Sequence, residues 1–381
     1  MPAVIQPMSN SVEKLSFLCT GCGNTHPATT MDWCCPDCGG SFLLSGTPAF
    51  AQTKIDDHDF SLWRYRECLG VANPISLGEG LTPLVPAEDL GGQAWYKLEF
   101  LSPTGSFKDR GICAMVSFLK SIGIGDVVED SSGNAAASLS AYSARAGIRA
   151  KIFVPAYTSP AKLRQIELYG AELIPVEGAR IDATRAAEAA ARTGTYYASH
   201  YWNPFAVEGL KTFAYEVAEQ LNWRCPNNVV VPCGHGTLLL GAYYGFRALM
   251  QSGAISRMPR LFAVQAAACA PIVEAFDDGQ REASPVAPGE TVAEGIRITE
   301  PVRSREILAA LGETHGRAVS VDEETIQQTH RQLANSGLFV ELTSAVAAAG
   351  ARRLVSEGVI GPDECTVTAL SGNGLKNLAA S

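Results

Sequence analysis

The sequence has 381 residues, of which 46% are hydrophobic and 18% are charged, and its formal net charge at pH 7 is −9. These values are typical of a globular protein with two or three domains, and the acidic charge argues against a nucleic acid or an anionic membrane as the main partner. The sequence has no run near the ~18 apolar residues of a membrane span and no secretory signal at its start, so we expect a cytoplasmic protein.

Two cysteine pairs near the N-terminus predict a metal site. Cys19 and Cys22 form one CxxC motif, and Cys35 and Cys38 form a second. Each CxxC turn can direct two thiolates to one side, and four thiolates suit a tetrahedral zinc ion. Four protein ligands leave no open coordination position, so we expect a structural zinc ribbon over about residues 15–45. Redox-active thiols, or a ribbon without its metal, are the alternatives.

Predicted strands and helices alternate along the rest of the chain. The strands are expected at residues 94–98, 126–129, 150–154, 172–176, 228–231, 260–265 and 365–370. The helices are expected at residues 106–121, 135–146, 160–169, 181–193, 208–221, 238–250, 323–335 and 344–357. This alternation predicts an α/β fold with parallel or mixed sheets that helices cover on both faces. Composition marks no boundary between the halves of this fold.

The segment SPTGSFKDRG, residues 102–111, places Lys108 at the start of a predicted helix. A cation at the positive end of a helix is unfavourable unless something compensates it. A covalent imine with an aldehyde cofactor would compensate this charge, and the lysine would then serve to bind the cofactor. A solvent-facing lysine is the alternative.

Three further segments join a predicted strand to a helix or follow the last strand. The turn SSGN, residues 131–134, could hold a carboxylate or a planar ring with its backbone N–H groups, or could be an ordinary helix cap. The turn CGHGTL, residues 233–238, could cradle a phosphate, although it matches neither GxGxxG nor the P-loop. The segment SGNGLK, residues 371–376, could be a C-terminal loop and nothing more.

Together and in this order, the four segments resemble the fold-type II pyridoxal phosphate (PLP) enzymes, and among them the threonine synthase family. The resemblance runs from about residue 77 to residue 376. Its most specific part is PTGSFKDRG, because dehydratases of the same fold usually lack the Asp-Arg after the lysine. Motifs at residues 80–84, 201–212 and 339–345 are also similar, and some family members carry an N-terminal zinc ribbon.

The resemblance implies roles for individual residues. Lys108 would form the internal aldimine and later shuttle protons, Asn134 would hydrogen-bond the phenolic oxygen of PLP, and Ser371 would face its pyridine nitrogen. A hydroxyl there leaves that nitrogen largely unprotonated, which favours elimination and replacement over transamination. The cofactor phosphate would be bound by Gly234, His235, Gly236, Thr237 and Leu238. The substrate would contact Ser131, Ser132, Gly133, Ala135, Tyr201 and Asn203.

The same resemblance implies a domain organisation. Residues 1–48 would form the ribbon and an N-terminal segment. Residues 49–93 with 203–381 would form a large PLP-binding domain, and residues 94–202 a small mobile domain that carries Lys108 and the turn at residues 131–134. The active site would lie between the two domains of a homodimer, with a small amino acid as substrate and no nucleic acid or membrane as partner.

Several residues depart from the family pattern. The family usually has Thr where this sequence has Ala135, Ser where it has Tyr201, and Arg where it has Ala206. His235 and Ser102 each stand where Asn is common. Charge-assisted hydrogen bonds are worth about 1.5–3 kcal/mol each, so the missing arginine and hydroxyl weaken any site for a substrate phosphate.

Two functions therefore remain open within the family. The first is threonine synthase, which converts O-phospho-L-homoserine and water to L-threonine and phosphate, with Lys97, Arg110 or His200 holding the phosphate. The second is a related lyase with a non-phosphorylated substrate, such as a cysteate synthase-like enzyme or a serine/threonine-type ammonia-lyase. An idle PLP-binding relative and a nucleic-acid module fused to a metabolic domain are further alternatives. The intact Lys108 motif and the acidic charge argue against them.

Overall fold

The structure is a computed structural model that describes residues 15–71, 73–287 and 289–377. The N-terminal segment before residue 15, and with it the expectation about a secretory signal, lies outside the described residues. Among the helices of the described chain, none has the length and apolar character needed to cross a membrane.

Thirteen strands and eleven α-helices make up the described chain. The strands are β1 (Ser16–Cys19), β2 (Thr25–Pro27), β3 (Phe42–Ser45), β4 (Leu84–Pro86), β5 (Ala94–Lys97), β6 (Asp126–Glu129), β7 (Arg149–Pro155), β8 (Glu172–Val176), β9 (Tyr196–Tyr197), β10 (Asn228–Pro232), β11 (Arg260–Ala266), β12 (Arg317–Val321) and β13 (Thr366–Ala369). The helices are α1 (Lys108–Ser121), α2 (Asn134–Ala146), α3 (Pro160–Leu168), α4 (Arg180–Arg192), α5 (Pro204–Leu210), α6 (Thr212–Gln220), α7 (Thr237–Gln251), α8 (Pro271–Asp277), α9 (Ser304–Glu313), α10 (Glu323–Asn335) and α11 (Leu342–Ser356).

The strands form three sheets. The largest has the order β12-β11-β10-β13-β5-β4, and all its neighbours are parallel except β4, which runs antiparallel to β5. A four-stranded parallel sheet has the order β8-β7-β6-β9. The predicted α/β fold with helix-covered parallel and mixed sheets is therefore confirmed.

The third sheet is small and antiparallel, with the order β2-β1-β3. We call residues 15–45, which include this sheet and the two CxxC turns, the cysteine ribbon. In β1 the side chains of Phe17 and Cys19 are buried and the side chain of Leu18 points outward, as strand alternation requires. The ribbon thus has one apolar face, which packs against the rest of the molecule.

The topology bears on the proposed domain division. Strand β5 pairs with β13 and β4, so it belongs to the six-stranded sheet. The four strands β6 to β9 all lie between residues 126 and 197. A small domain that begins at residue 94 would separate β5 from its hydrogen-bonded neighbours. We therefore keep the division into two domains as a proposal in which the small domain begins after Lys97.

One predicted helix, at residues 208–221, is two helices in the structure. Helix α5 already begins at Pro204, because the side chain of Asn203 accepts a hydrogen bond from the N–H of Phe205 at 2.9 Å. Asparagine as the capping residue followed by proline at the first helical position is a strong start signal. The periodicity of apolar residues did not reveal this start.

Helices α1 and α5 are in backbone contact with each other. A Cβ atom added at Gly111 would lie 2.6 Å from the carbonyl oxygen of Ala206. A Cβ atom added at Gly209 would come even closer to the carbonyl oxygen of Arg110. Only glycine fits at these two positions, because any side chain would push the helices apart.

A fully buried ionic network ties α1 to the six-stranded sheet. The Arg110 guanidinium donates through Nε to Glu99 at 2.6 Å and through Nη1 to Glu216 at 2.6 Å. The Lys97 Nζ donates to the other oxygen of Glu216 at 2.8 Å. All four side chains are 0% exposed. Because burial of an unpaired charge is costly, each member of this network depends on the others.

Candidate active site

Lys108 is the first residue of α1, and its side chain is half-buried. Its Nζ lies 4.6 Å from the centroid of the Phe107 ring. Burial lowers the pKa of Lys108 to about 7, although the nearby Glu129 carboxyl opposes this shift. A substantial share of the amine is therefore uncharged near neutral pH, and an uncharged amine can attack an aldehyde.

The turn before Lys108 is held in place by the next residue, Asp109. Its carboxylate accepts hydrogen bonds from the Thr104 N–H at 2.7 Å and the Thr104 hydroxyl at 2.6 Å. It also accepts from the Ser138 hydroxyl of α2 at 2.6 Å. Asp109 therefore fixes the start of α1 against α2, and Arg110 fixes α1 to the larger sheet. These contacts give a structural reason for the Asp-Arg that follows the lysine.

The C-terminal segment lies directly beside this turn. The N–H of Phe107 donates to the carbonyl of Ser371 at 3.0 Å. The Ser371 hydroxyl is 3.1 Å from the hydroxyl of Ser344, which in turn accepts from the N–H of Gly372 at 2.7 Å. The structure thus brings Ser371 next to the Lys108 turn, although the two segments are far apart in the sequence.

Asn134 meets the same C-terminal segment from the other side. It is the first residue of α2, and its amide nitrogen donates to the carboxylate of Glu341 at 2.8 Å. A Cβ atom at Gly372 would overlap the Glu341 carboxylate and would lie 3.2 Å from the Asn134 amide nitrogen. Asn134 and the Ser371–Gly372 segment therefore form one wall of the candidate site.

The turn between β10 and α7 suits an anion. Gly236 adopts the left-handed region with φ of 73°, and within the described chain no side chain caps the N-terminus of the 15-residue helix α7. The buried Nδ1 of His235 has no hydrogen-bond partner in the described part of the chain. Burial lowers the pKa of His235 to about 3, so its ring is neutral. The free N–H groups at this helix start can hold a phosphate.

His235 is also covered by the predicted substrate residue Tyr201. Tyr201 is buried, and its ring stacks on the ring of His235 with 4.0 Å between centroids. The charge of Lys108 lowers the pKa values of both His200 and His235, after the larger effect of burial. Lys108, His200, Tyr201 and His235 therefore form one cluster.

Sequence reasoning missed Glu129, a buried carboxyl in this cluster. Glu129 accepts a hydrogen bond from the Ser131 N–H at 2.5 Å and is 3.2 Å from the Nδ1 of His200. Burial and the neighbouring Asp130 raise the pKa of Glu129 to about 8. Its position at the carboxyl end of a parallel strand could have revealed it, since ligand-binding groups gather there.

Asp130 has a different environment from that of Glu129. Its carboxylate accepts from Arg180 at 2.9 Å, from Thr184 at 2.6 Å and from Tyr197 at 2.8 Å. Burial alone would raise the pKa of Asp130, but Arg180 and these hydroxyls hold the pKa below its usual value. Asp130 and Arg180 therefore neutralise each other beside the candidate site.

Other predicted residues are engaged elsewhere. The amide of Asn203 caps α5 with its oxygen and donates through its nitrogen to the Tyr196 hydroxyl at 2.9 Å. Lys97 and Arg110, which we considered as ligands for a substrate phosphate, are fully buried in the ionic network with Glu99 and Glu216. Ala135 is buried in α2 behind the turn at residues 131–134.

The cysteine ribbon brings its four predicted ligands together. The Sγ atoms of Cys19 and Cys38 are 3.4 Å apart, and those of Cys22 and Cys35 are 3.7 Å apart. All four sulfurs lie within 4.8 Å of one another. Tetrahedral zinc with ~2.3 Å bonds places sulfurs roughly 3.8 Å apart, so the donor set fits that ion. The eleven cysteines of the sequence are all described, and all are free thiols.

Comparison with known proteins identifies similar sequences. A family model described as pyridoxal-phosphate dependent enzyme matches residues 75–372. The threonine synthase of Methanocaldococcus jannaschii is 36% identical over 374 residues, which cover 94% of this chain and 92% of that protein. The threonine synthase of Methanosarcina acetivorans is 34% identical over 372 residues, which cover 94% of this chain and 91% of that protein.

Solved structures of the same fold are also similar. A threonine deaminase from T.th. has a TM-score of 0.66 at 26% identity, and the match covers 79% of this chain and 94% of that chain. The processed threonine deaminase isoform 2 of Solanum lycopersicum has a TM-score of 0.67 at 24% identity and matches 78% of this chain and 80% of that chain. The second likeness shows the fold alone.

Proposed function

The chain belongs to the family of pyridoxal-phosphate dependent enzymes, and we propose that it is a lyase of the threonine synthase type. In this reaction the α-proton of an L-amino acid is removed and a group leaves its β or γ carbon. The observation that carries the proposal is the Lys108 amine, which has a pKa of about 7 beside turns suited to a carboxylate and a phosphate. The likeness to two threonine synthases over 94% of the chain supports it.

Pyridoxal phosphate would fit the groups around Lys108. Lys108 would hold it covalently, the turn at residues 234–238 would bind its phosphate, Asn134 would bind its phenolic oxygen, and Ser371 would face its ring nitrogen. The uncapped start of α7 and the free Nδ1 of His235, within the described chain, support this fit. When bound, this cofactor draws electrons from the substrate Cα, which makes the α-proton acidic.

Lys108 is also suited to move the α-proton. Because its pKa is about 7, it can act as a base and as a conjugate acid near neutral pH, which favours general acid–base catalysis. His200 stays neutral, since burial holds its pKa well below the usual value. Lys108 would take the proton from Cα and return one at a later step.

The substrate carboxylate would bind at the turn formed by Ser131, Ser132 and Gly133. These residues precede the 13-residue helix α2, whose first N–H groups and dipole favour an anion. The half-buried Ser131 and Ser132 offer hydroxyls at the same place. This arrangement would orient the Cα–H bond toward Lys108.

The first candidate substrate is O-phospho-L-homoserine, with threonine and phosphate as products. The names of the two archaeal relatives and their coverage of this chain favour it. After loss of the α-proton, removal of a proton from Cβ would allow phosphate to leave Cγ, and protonation at Cγ with addition of water at Cβ would then give threonine. Arg180 is a partly exposed cation near this end of the site, but it is paired with Asp130 at 2.9 Å.

The second candidate is a non-phosphorylated amino acid, as expected for an ammonia-lyase or a β-replacement enzyme. The buried Glu129 favours it, because this group has a pKa of about 8, adds no positive charge to the site and repels a dianionic phosphate once it ionises. The enclosure of Lys97 and Arg110 in the ionic network also favours it, since neither can reach a phosphate. Such a substrate would release its β-hydroxyl, and imine hydrolysis would yield a 2-oxo acid and ammonia.

The deciding experiment measures phosphate and threonine release from O-phospho-L-homoserine by the purified, PLP-loaded protein. The Lys108→Ala variant should bind the cofactor only non-covalently and lose turnover. Lys120→Ala is the matched control, because Lys120 is an exposed lysine at the other end of α1. Turnover that survives in Lys108→Ala would contradict the proposed role of this residue.

The outcome also separates the two substrates. Turnover of O-phospho-L-homoserine supports the first candidate. An inactive protein that still shows the absorbance of lysine-bound cofactor supports the second, and L-serine and L-threonine should then yield ammonia. In that case Glu129→Gln should increase the use of the phosphorylated substrate. Lack of lysine-bound cofactor would contradict the whole proposal.

We also propose that the four ribbon cysteines bind a structural zinc ion. The sulfur separations of 3.4 and 3.7 Å support this assignment. His26 and Asp37 approach Cys35 as well, but the four thiolates alone complete a tetrahedron. The homodimer and the mobile small domain remain predictions from the family resemblance, and the cytoplasmic location remains a prediction from the sequence.

A further inference from the structure

Arg303 is a buried arginine whose guanidinium joins three separate parts of the chain. Its side chain is 1% exposed. Its Nε donates to the carbonyl of Tyr201 at 2.7 Å, and its Nη2 donates to the carbonyls of Trp202 at 2.8 Å and Phe42 at 2.9 Å. Its Nη1 is paired with both oxygens of Glu306 in α9, at 3.0 and 3.1 Å.

The contacts of Arg303 with Phe42 and with Glu306 connect it to the cysteine ribbon. Phe42 is the first residue of β3, four positions after the proposed ligand Cys38. Ser41, between them, donates its hydroxyl to Glu306 at 2.6 Å. Arg303 and Glu306 therefore hold the ribbon strand through one carbonyl and one hydroxyl.

Aromatic contacts join the ribbon to the same region. Trp33 lies edge-on against Tyr197, with 5.5 Å between ring centroids and an angle of 88°. Phe17 lies edge-on against Phe205 at 6.1 Å. The ribbon thus contacts the segment of residues 197–205 on both sides of Tyr201.

Tyr201 carries these contacts to the candidate site. Its ring stacks on His235 in the turn before α7, and its hydroxyl is 3.2 Å from the Tyr197 hydroxyl. His235 is close enough to Lys108 for the charge of Lys108 to lower the pKa of the His235 ring. A continuous set of contacts therefore leads from the ribbon through Arg303 and Tyr201 to the site.

We propose that Arg303 is a positioning residue through which the cysteine ribbon fixes one side of the active site. This side consists of Tyr201 and the His235 ring on which it stacks, and we call it the Tyr201 wall. This inference rests on the proposed function in that the site beside Tyr201 binds PLP and an amino acid. The ribbon is then part of the substrate-binding apparatus rather than an appended module. Loss of the proposed zinc ion from the ribbon would then disturb the contacts of Arg303 and Tyr201 and lower the affinity for substrate.

The chemistry of arginine suits this role. The planar guanidinium presents its N–H groups in a rigid fork, so it can serve several carbonyls and a carboxylate at once. A lysine in its place has a compact ammonium group that cannot span acceptors on opposite sides. A small displacement of a substrate-positioning group can reduce catalysis up to about 100-fold.

The test compares Arg303→Lys with Arg305→Met in the PLP-loaded full-length protein. Arg305 is the matched control, because it lies two residues away, is 65% exposed and pairs only with the exposed Glu282 in the described chain. We expect Arg303→Lys to raise KM by about 10- to 100-fold, with a smaller change in kcat, and to weaken PLP binding. Arg305→Met should leave all three values unchanged.

The ribbon itself is tested with Cys38→Ser, alone and combined with Arg303→Lys. If both act on the same wall, the two single variants shift KM in the same direction and the double variant shows no further shift. Visible circular dichroism of the bound cofactor should change in the same variants. Fully additive effects, or an unchanged KM and an unchanged cofactor signal in a folded Cys38→Ser protein, would overturn the inference.

The same measurements separate this inference from the proposed function. A wild-type protein that binds PLP but converts no amino acid would contradict the proposed function. The PLP dissociation constant and the circular dichroism signal would still report on the Tyr201 wall in that case. If Arg303→Lys fails to fold, Cys38→Ser and Trp33→Leu test the same chain of contacts from the ribbon side.

Discussion

The ring of Tyr201 lies flat on the ring of His235, with centroids 4.0 Å apart and an interplanar angle of 9°. Tyr201 comes from the segment that the ribbon contacts, and His235 comes from the turn proposed to bind the cofactor phosphate. Both rings are uncharged, because burial lowers the pKa of His235 and raises that of Tyr201. The stacked pair would therefore connect the proposed substrate and cofactor sites.

Loss of this stacking should weaken cofactor binding. Aromatic pairs contribute about 1 kcal/mol beyond buried area, which corresponds to roughly fivefold in affinity. Tyr201→Leu should therefore raise the PLP dissociation constant about fivefold in an absorbance titration of the apoprotein. Tyr201→Phe keeps the ring and loses the hydroxyl with its contact to Tyr197, so it should bind PLP like the wild type. Equal weakening in both variants would assign the effect to the hydroxyl instead.

Cofactor incorporation should depend on pH through Lys108. Only the uncharged amine can attack the aldehyde, and its pKa is about 7, so the rate should rise with pH through about 7. The Glu129 carboxylate raises this pKa. Because the pKa of Glu129 is about 8, only part of this group is charged near pH 7, so Glu129→Gln should move the midpoint to lower pH by a small amount.

Stopped-flow mixing of apoprotein with PLP over a range of pH measures this midpoint. Titration of PLP itself is common to both proteins, so a difference between them reports on Lys108. An upward shift in Glu129→Gln would show that Glu129 acts on Lys108 in another way than by its charge.

The buried ionic network should be essential for stability. Arg110→Met leaves the carboxylates of Glu99 and Glu216 without their main partner at 0% exposure. Removal of one member of a buried ion pair costs about 3–5 kcal/mol, so we expect a loss of this size in the free energy of unfolding. Chemical denaturation followed by circular dichroism measures it. The exposed pair of Arg149 with Asp126 is the control, because Arg149→Met should change little.

Zinc content should depend on the four ribbon cysteines alone. The purified wild type is expected to contain about one zinc ion per chain, and Cys38→Ser should lose it. Cys225→Ser removes a partly buried thiol that is not part of the cysteine cluster of the ribbon and should retain the metal. Elemental analysis by mass spectrometry gives the stoichiometry. Zinc in Cys38→Ser at the wild-type level would contradict the proposed ligand set.

Much of the fold follows from local patterns in the sequence. The predicted strands at residues 126–129 and 172–176 match β6 and β8, and the start of α2 was predicted within one residue. Helices α8 and α9 were not predicted, because they are short and a stretch rich in proline, glycine and polar residues separates them. The strand β9 has only two residues, which is too short for any periodicity.

The site was only partly predictable for a different reason. The turn around Lys108 is a local sequence feature, so its position at a helix start was predicted correctly. The contact between Glu129 and His200 joins residues 71 positions apart, and the contact from Arg303 to Tyr201 joins residues 102 positions apart. Such pairs depend on how strands and helices assemble, which single-sequence patterns do not encode.

The glycine contacts between α1 and α5 have a consequence for the motion of the site. Gly111 and Gly209 leave no side-chain layer between the helix that carries Lys108 and the helix that follows Tyr201. Atoms in direct backbone contact cannot separate by rotamer changes, so the two helices are expected to move together rather than independently. Their central amides should therefore exchange with deuterium at rates set by global unfolding, among the slowest in the protein.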